Sequence, residues 1–469
     1  MDNHEERIPT KVTRITRRRA LKLLGVGVGG SALLAACGSA ATNTPAAPAA
    51  TTAPAGSATT APAAVATTAP AVIKAQGKVV VATGRDVTGT VKKIIDDFNK
   101  QAKGITIEYQ ELEADSSANK NKYATVFAAK DSSIDVIAAD IPWVPEFGAA
   151  GWLASLDKYV DAGTRSQFFD GTLQGATFKE KLYGIPWYIN AGVLYYRKDL
   201  LDAASIKPPT TFAELEKAAT ALQKDGLYGF AHHGFQNEGL SAAWLEILWG
   251  YGGEYWDAKT AEATIAKGDA GEKSLQWWLD NINTRKITPT QVTSWKGPDA
   301  HNTFNQGNAV FLRAWFDVYA QTQGAESKVK DKVGVIPMVA AEGQKAPSCL
   351  GNWFLGISNF SKNPDAAWEV VKYMTGSEAS KARTLGTGAP PGNKLAYSDK
   401  EILEKYPHYT TFTKILETAK PRPVTPAYNQ ISSEIIQVQV ANVLSGKATP
   451  KAAIQTMAEK STPLLAQFK

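Results

Sequence analysis

The sequence predicts an α/β protein of two lobes, on three observations. Strand-like and helix-like segments alternate through residues 78–469, the pattern of sheets covered by helices and largely parallel within. That stretch is long enough for two separate cores. The first 77 residues are of a different character and contribute nothing to a core.

The chain opens with an address. "TRRRALKLLGVGVGGSALLAACGS" (Thr16–Ser39) has a basic start, a Gly-rich apolar middle and a small-residue end, the layout of an export signal. Its apolar part falls short of the ~20 residues that a bilayer-spanning helix needs. Arg17-Arg18 followed by Arg19-Ala20-Leu21-Lys22 resembles a twin-arginine signal, with the general secretory route as the alternative. "LAAC" ending at Cys37 looks like a bacterial lipobox, which implies cleavage after residue 36 and lipidation of Cys37. A plain signal peptide with an incidental Cys is the competing reading. Residues 37–77 then read as a disordered tether, mostly Ala, Thr and Pro with no charge before Lys74, which buries too little apolar area to fold.

The elements of the globular part follow in order. "KVVVATG" (78–84) is a β-branched run closed by Gly, hence a strand. "TVKKIIDDFNKQA" carries Val91, Ile94, Ile95 and Phe98 at helical spacing. "GITIEYQEL" alternates as a strand, "NKYATVFAAK" is a helix, and "IDVIAAD" is a third strand ending at Asp140. "TTFAELEKAATALQK" starts with Thr211 and Glu214 at capping-box spacing. "KVGVIPM" and "FLGIS" are later strands, and "PDAAWEVVKYMTG" is a helix opened by Pro364. Asp86 and Asp140 stand beyond strand ends, where α/β sheets meet ligands. Capping the next turn is the other common fate of such an Asp.

Charge and motif content exclude several function classes. The net charge is +6, but residues 1–36 hold seven Lys/Arg and three Asp/Glu, which leaves the remainder close to neutral. Nothing favours a nucleic acid as partner. No dinucleotide fingerprint, P-loop, G-x-S-x-G or H-E-x-x-H is present. The adjacent pair His232-His233 suits neither helical zinc ligation nor a triad, and no metal or cofactor is expected. Cys37 and Cys349 are no disulfide framework, and Cys349 reads as a buried small apolar residue without a nearby basic partner. Asp86, Asp140, Glu238 and Asp317 leave a carboxylate pair for glycoside hydrolysis open.

"YGIPWYINAGVLYYRKDLL" (183–201) gathers flat rings around one amide, Asn190, with Gly and Pro as punctuation. Rings stack on the apolar faces of sugars, and amides serve hydroxyls. Together with "DVIAADIPWVPEFGAAGWLASLD", "PPTTFAELEKAATAL", "FNQGNAVFLRAW" and "NWFLGISNFSKNPDAAWEVVKYMTGSE", in that order, it resembles the extracellular solute-binding proteins of ABC sugar importers. The likeness covers essentially all of 78–469. It implies a periplasmic-binding-protein type II fold, similar to maltose-binding proteins, with hinge strands between lobes. The lobes would comprise 78–190 with 355–378, and 191–354 with 379–469.

The resemblance implies a ligand site of Asp86, Asp140, Tyr188, Asn190, Glu238, Trp315, Trp353 and Arg422. "GNWF" and "RPVTPAY" point toward its trehalose/maltose branch, although Asn190 stands where that branch usually has Asp. The implied protein is not an enzyme. It is a monomeric lipoprotein on the outer face of the cytoplasmic membrane, handing a di- or oligosaccharide to permease subunits. The alternatives are a membrane-anchored glycoside hydrolase and a sugar-capture surface lipoprotein without a transporter.

Overall fold

The computed structural model describes residues 75–468 other than 103, 114 and 115. The export signal, Cys37 and the tether to residue 74 lie outside the described residues. The strands that matter are β1 (Gly77–Thr83), β2 (Ile105–Glu111), β3 (Val136–Asp140), β4 (Ile185–Tyr188), β5 (Gly192–Arg197), β6 (Tyr228–Ala231), β7 (Ala309–Trp315), β8 (Val333–Ile336) and β9 (Trp353–Ile357). They form two sheets, β2-β1-β3-β9-β4 and β8-β5-β7-β6.

The sheets are mixed, which corrects the expectation of largely parallel ones. In the first, β1 runs parallel to β2 and β3, while β9 runs antiparallel to β3 and β4. In the second, β5 runs antiparallel to β7 and β8, while β6 and β7 are parallel. The reversed strand in each case follows a crossing from the other sheet. The remaining strands end at the junction; β5 and β9 start there and run away from it. Tyr188, Asp140 and Trp353 lie level across the first sheet, and Gly192 lies opposite Trp315 in the second.

Each sheet has its own core. Val79, Val81, Ile137 and Phe354 belong to the first. Successive side chains of a strand face opposite ways, so the second sheet is buried on both faces: Leu194 and Phe311 join one cluster, Tyr195 and Leu312 another. The crossing segments bond to each other, Gly351 N donating to the Asn190 carbonyl at 2.9 Å and Ile189 N to the Pro390 carbonyl at 3.0 Å. Gly192 is needed there because a Cβ would strike Glu246 and Arg313.

The helices used below are α1 (Thr90–Gln101), α2 (Ser116–Ala128), α3 (Trp143–Ala149), α4 (Phe212–Leu222), α5 (Glu238–Gly250), α6 (Pro364–Thr375) and α7 (Ser377–Thr387). The apolar stripe Val91, Ile94, Ile95 and Phe98 of α1 is buried. Helix α7, assigned almost wholly to the second lobe on sequence, packs against α1 and α6. Among the described residues no helix is long and apolar enough to cross a membrane.

The capping box of α4 is present: Glu214 N donates to Thr211 Oγ1 at 3.2 Å, and Thr211 N to Glu214 Oε2 at 3.2 Å. Thr211→Ala is expected to cost about 1 kcal/mol. A fall in the urea midpoint at unchanged slope would register it, and an unmoved midpoint would show the cap to be idle.

Candidate functional site

A cleft of about 240 Å³ opens where the carboxyl ends of the first sheet meet the crossing segments. Asp86, Tyr188, Asp317, Trp353 and Arg383 are among its lining residues. Its aromatic floor follows from the sheet register. Tyr188 on β4 and Trp353 on β9 are neighbours, and their rings lie parallel, 11° apart with centroids at 6.1 Å. Trp143 on α3 meets Trp353 edge-on at 5.3 Å. Burial pushes the Tyr188 phenol up, so it stays neutral at physiological pH.

Asp86 lies at the lip and organises its loop. Its carboxylate accepts from Thr88 N (2.9 Å), Thr88 Oγ1 (2.6 Å) and Val91 N (2.7 Å). Burial acts to raise its pKa, but these hydrogen bonds outweigh it and hold the carboxyl below its usual range. Three donors leave little acceptor capacity free, so the turn-capping role is the one the geometry displays.

Asp140, Glu238 and Arg422 form a second group. Asp140 ends β3, Glu238 opens α5, and Arg422 comes from the Pro-rich segment near the C-terminus. The Arg422 guanidinium, 3% exposed, grips Asp140 bidentately at 2.5 and 3.0 Å and reaches Glu238 at 3.0 Å. Tyr428 Oη at 2.9 Å and Ser432 Oγ at 2.5 Å also donate to Glu238. Burial opposes the charge on Arg422, and the two carboxylates more than offset it.

Asn190 is a connector. Its Oδ1 accepts from Ala191 N at 3.0 Å and Phe316 N at 2.9 Å, and its amide serves the Asp317 carboxylate. The Asn190 amide thus ties the crossing segment to the Asp317 carboxyl that follows β7. Burial pushes the Asp317 carboxyl up, against Asn190 and Arg383, which pull it down. Trp315 ends β7 and stacks under Arg313, whose guanidinium carbon is 4.7 Å from the ring centre. Arg313 is in turn paired with buried Glu246 through two bonds of 2.8 Å. Trp315 thus lies at the junction, opposite Gly192, with its ring against Gly351 of the second crossing segment.

Sequence reasoning missed Arg383 altogether and weighed Asp317 only as a spare carboxylate. Arg383 projects from α7, and "SEASKARTLGTG" reads as an ordinary polar helix. Cys349 is fully buried as expected, although Arg422 and Arg313 act on it; burial, the largest influence, raises its thiol. Among the described residues no group of three or more His, Cys, Asp or Glu could hold a metal ion.

The family model for bacterial extracellular solute-binding proteins matches residues 83–381. The chain is 31% identical over 376 residues to a probable ABC transporter-binding protein of Deinococcus radiodurans, spanning 78% of this chain and 88% of that one. Maltose-bound MalE3 of T. maritima superposes with a TM-score of 0.77 at 31% identity, covering 82% of this chain and 99% of that one. A solute-binding protein of Thermotoga lettingae bound with α-D-tagatose gives 0.73 at 25% identity, covering 83% and 99%. With two sheets joined by crossing strands around an aromatic cleft, and a family match over more than half its length, the chain belongs to the bacterial extracellular solute-binding proteins.

Proposed function

We propose that the protein captures a carbohydrate between its two lobes and passes it intact to the permease of an ABC importer. The observation that carries this reading is the parallel Tyr188–Trp353 platform, with Asp317 and Arg383 lining the same cleft. Flat rings take the apolar face of a pyranose, and the charged tips serve its hydroxyls. The trehalose/maltose class is the preferred ligand, supported by the maltose-bound relative. Ligand contacts on both sides of the junction would favour a closed form through hinge motion at 188–192 and 350–353. A lipid anchor at Cys37 would hold the protein at the membrane. A hydrolase is disfavoured because Asp140 and Glu238 are both engaged by one guanidinium.

Calorimetric titration with maltose and trehalose tests the reading, with the sugars recovered afterwards. Binding without release of monosaccharide is expected, and hydrolysis would overturn it. Trp353→Ala is expected to weaken the bound sugar by about ten-fold, near 1.4 kcal/mol. Undiminished affinity in that variant would remove the platform from the site.

A further inference from the structure

Arg383 is a charged side chain that the fold buries without supplying all its partners. It is 9% exposed, and its Nε and Nη1 have no hydrogen-bond partner. The guanidinium carbon lies 3.8 Å from the Tyr188 ring centre and 4.6 Å from that of Trp187. Cation–π contact holds the group in place but leaves its in-plane N–H donors unused. Empty buried donors are costly, and a residue kept only to brace two rings gains nothing from them. The cost makes sense where the partner arrives with the ligand, and Arg383 lines the cleft.

Its surroundings define that partner. Burial lowers the Arg383 pKa, and Tyr188, Asp86 and Asp317 act against it to favour the charged form. Asp86 is filled by Thr88 and Val91, while Asp317 remains half-buried at the cleft wall. An incoming carboxylate would meet two carboxylates beside one buried guanidinium. Arg85, also on the lining, is exposed and screened by solvent.

Resting on the carbohydrate reading above, we propose that Arg383 is a specificity-determining residue of the cleft. Its guanidinium, seated over Tyr188, bonds neighbouring hydroxyl oxygens of a neutral sugar unit lying against Trp353, and Asp317 accepts from a further hydroxyl. The planar fork matches adjacent oxygens in a way a lysine ammonium does not. The site takes neutral polyhydroxylated units and rejects sugar acids.

The test is calorimetry on the full chain with maltose, trehalose and mannitol as neutral probes and glucuronate and maltobionate as acids. The wild type is expected to bind its tightest neutral probe at least about ten-fold more strongly than either acid, and Arg383→Lys to lose at least about ten-fold for that probe at little change in melting temperature. Arg383→Met is expected to lose as much. If it fails to fold, the Lys variant decides, since it keeps a cation over the rings. Equal affinity in wild type and Arg383→Lys, or tighter binding of an acid, overturns this proposal alone. A wild type that binds none of the probes overturns the carbohydrate reading and this proposal with it. The comparison of neutral and acidic probes needs no variant, so tighter binding of an acid overturns the proposal even if both substitutions unfold the protein.

Discussion

Arg422→Met is expected to remove about 3–5 kcal/mol of folding stability, because it leaves a buried carboxylate without its counter-charge. The side chains of Arg422 and Asp140 are 3% and 9% exposed, so solvent screens the pair weakly. The two carboxylates fare differently after the loss. Glu238 keeps Tyr428 and Ser432 as donors, whereas Asp140 keeps only Ile141 N at 2.8 Å. Most of the cost therefore falls on Asp140. The double variant Arg422→Met/Asp140→Leu is expected to regain the larger part of it, since apolar replacement of a buried pair is often neutral. Urea denaturation of the three proteins measures this. A single variant as stable as wild type, or a double no better than the single, would contradict the account. Because Asp140 ends a strand of the first sheet and Glu238 opens a helix on the second core, the same variant should also loosen the junction between lobes.

How much of this could be read from the residues depends on the range of the forces involved. Strand and helix identity is a local matter of side-chain period, so β1 to β3, α1, α4 and α6 were legible. Strand direction was not. Whether β9 runs with or against β3 depends on the side from which it enters, which no window of sequence records. The same holds for the site. Tyr188 and Trp353 announced themselves as aromatics beside Gly and Asn, and register sets them ring to ring. Asn190 stood out as an amide among rings, yet the carboxyl it bonds, Asp317, comes from a distant segment. Arg383 left no local mark, because an arginine on a polar helix looks solvent-facing until α7 is seen packed on α1.

Acid is expected to destabilise the protein below about pH 6.5, before its carboxylates titrate, because folding buries neutral imidazoles. His232 and His233 are 1% and 4% exposed. Burial, with Arg313 adding to it, drives His233 down to about 3; burial drives His232 down to about 4, against a hydrogen bond to the His233 carbonyl. His232 also stacks on Trp278, ring centres 4.9 Å apart. The sign is fixed by the depressed folded values. The unfolded chain takes up these protons near pH 6.5 and the folded chain does not, so stability is fully present above that value. It is lost as pH falls toward about 4, at up to about 1.4 kcal/mol per pH unit for each ring. His301 and His408, brought to about 4 and about 3 by burial, add to the same limb. Measured from pH 7 to 5, folding free energy should decline with a slope that His233→Phe reduces by roughly one proton's worth. A flat profile across that interval, or an unaltered slope in the variant, would mean that these imidazoles find partners or water inside the fold.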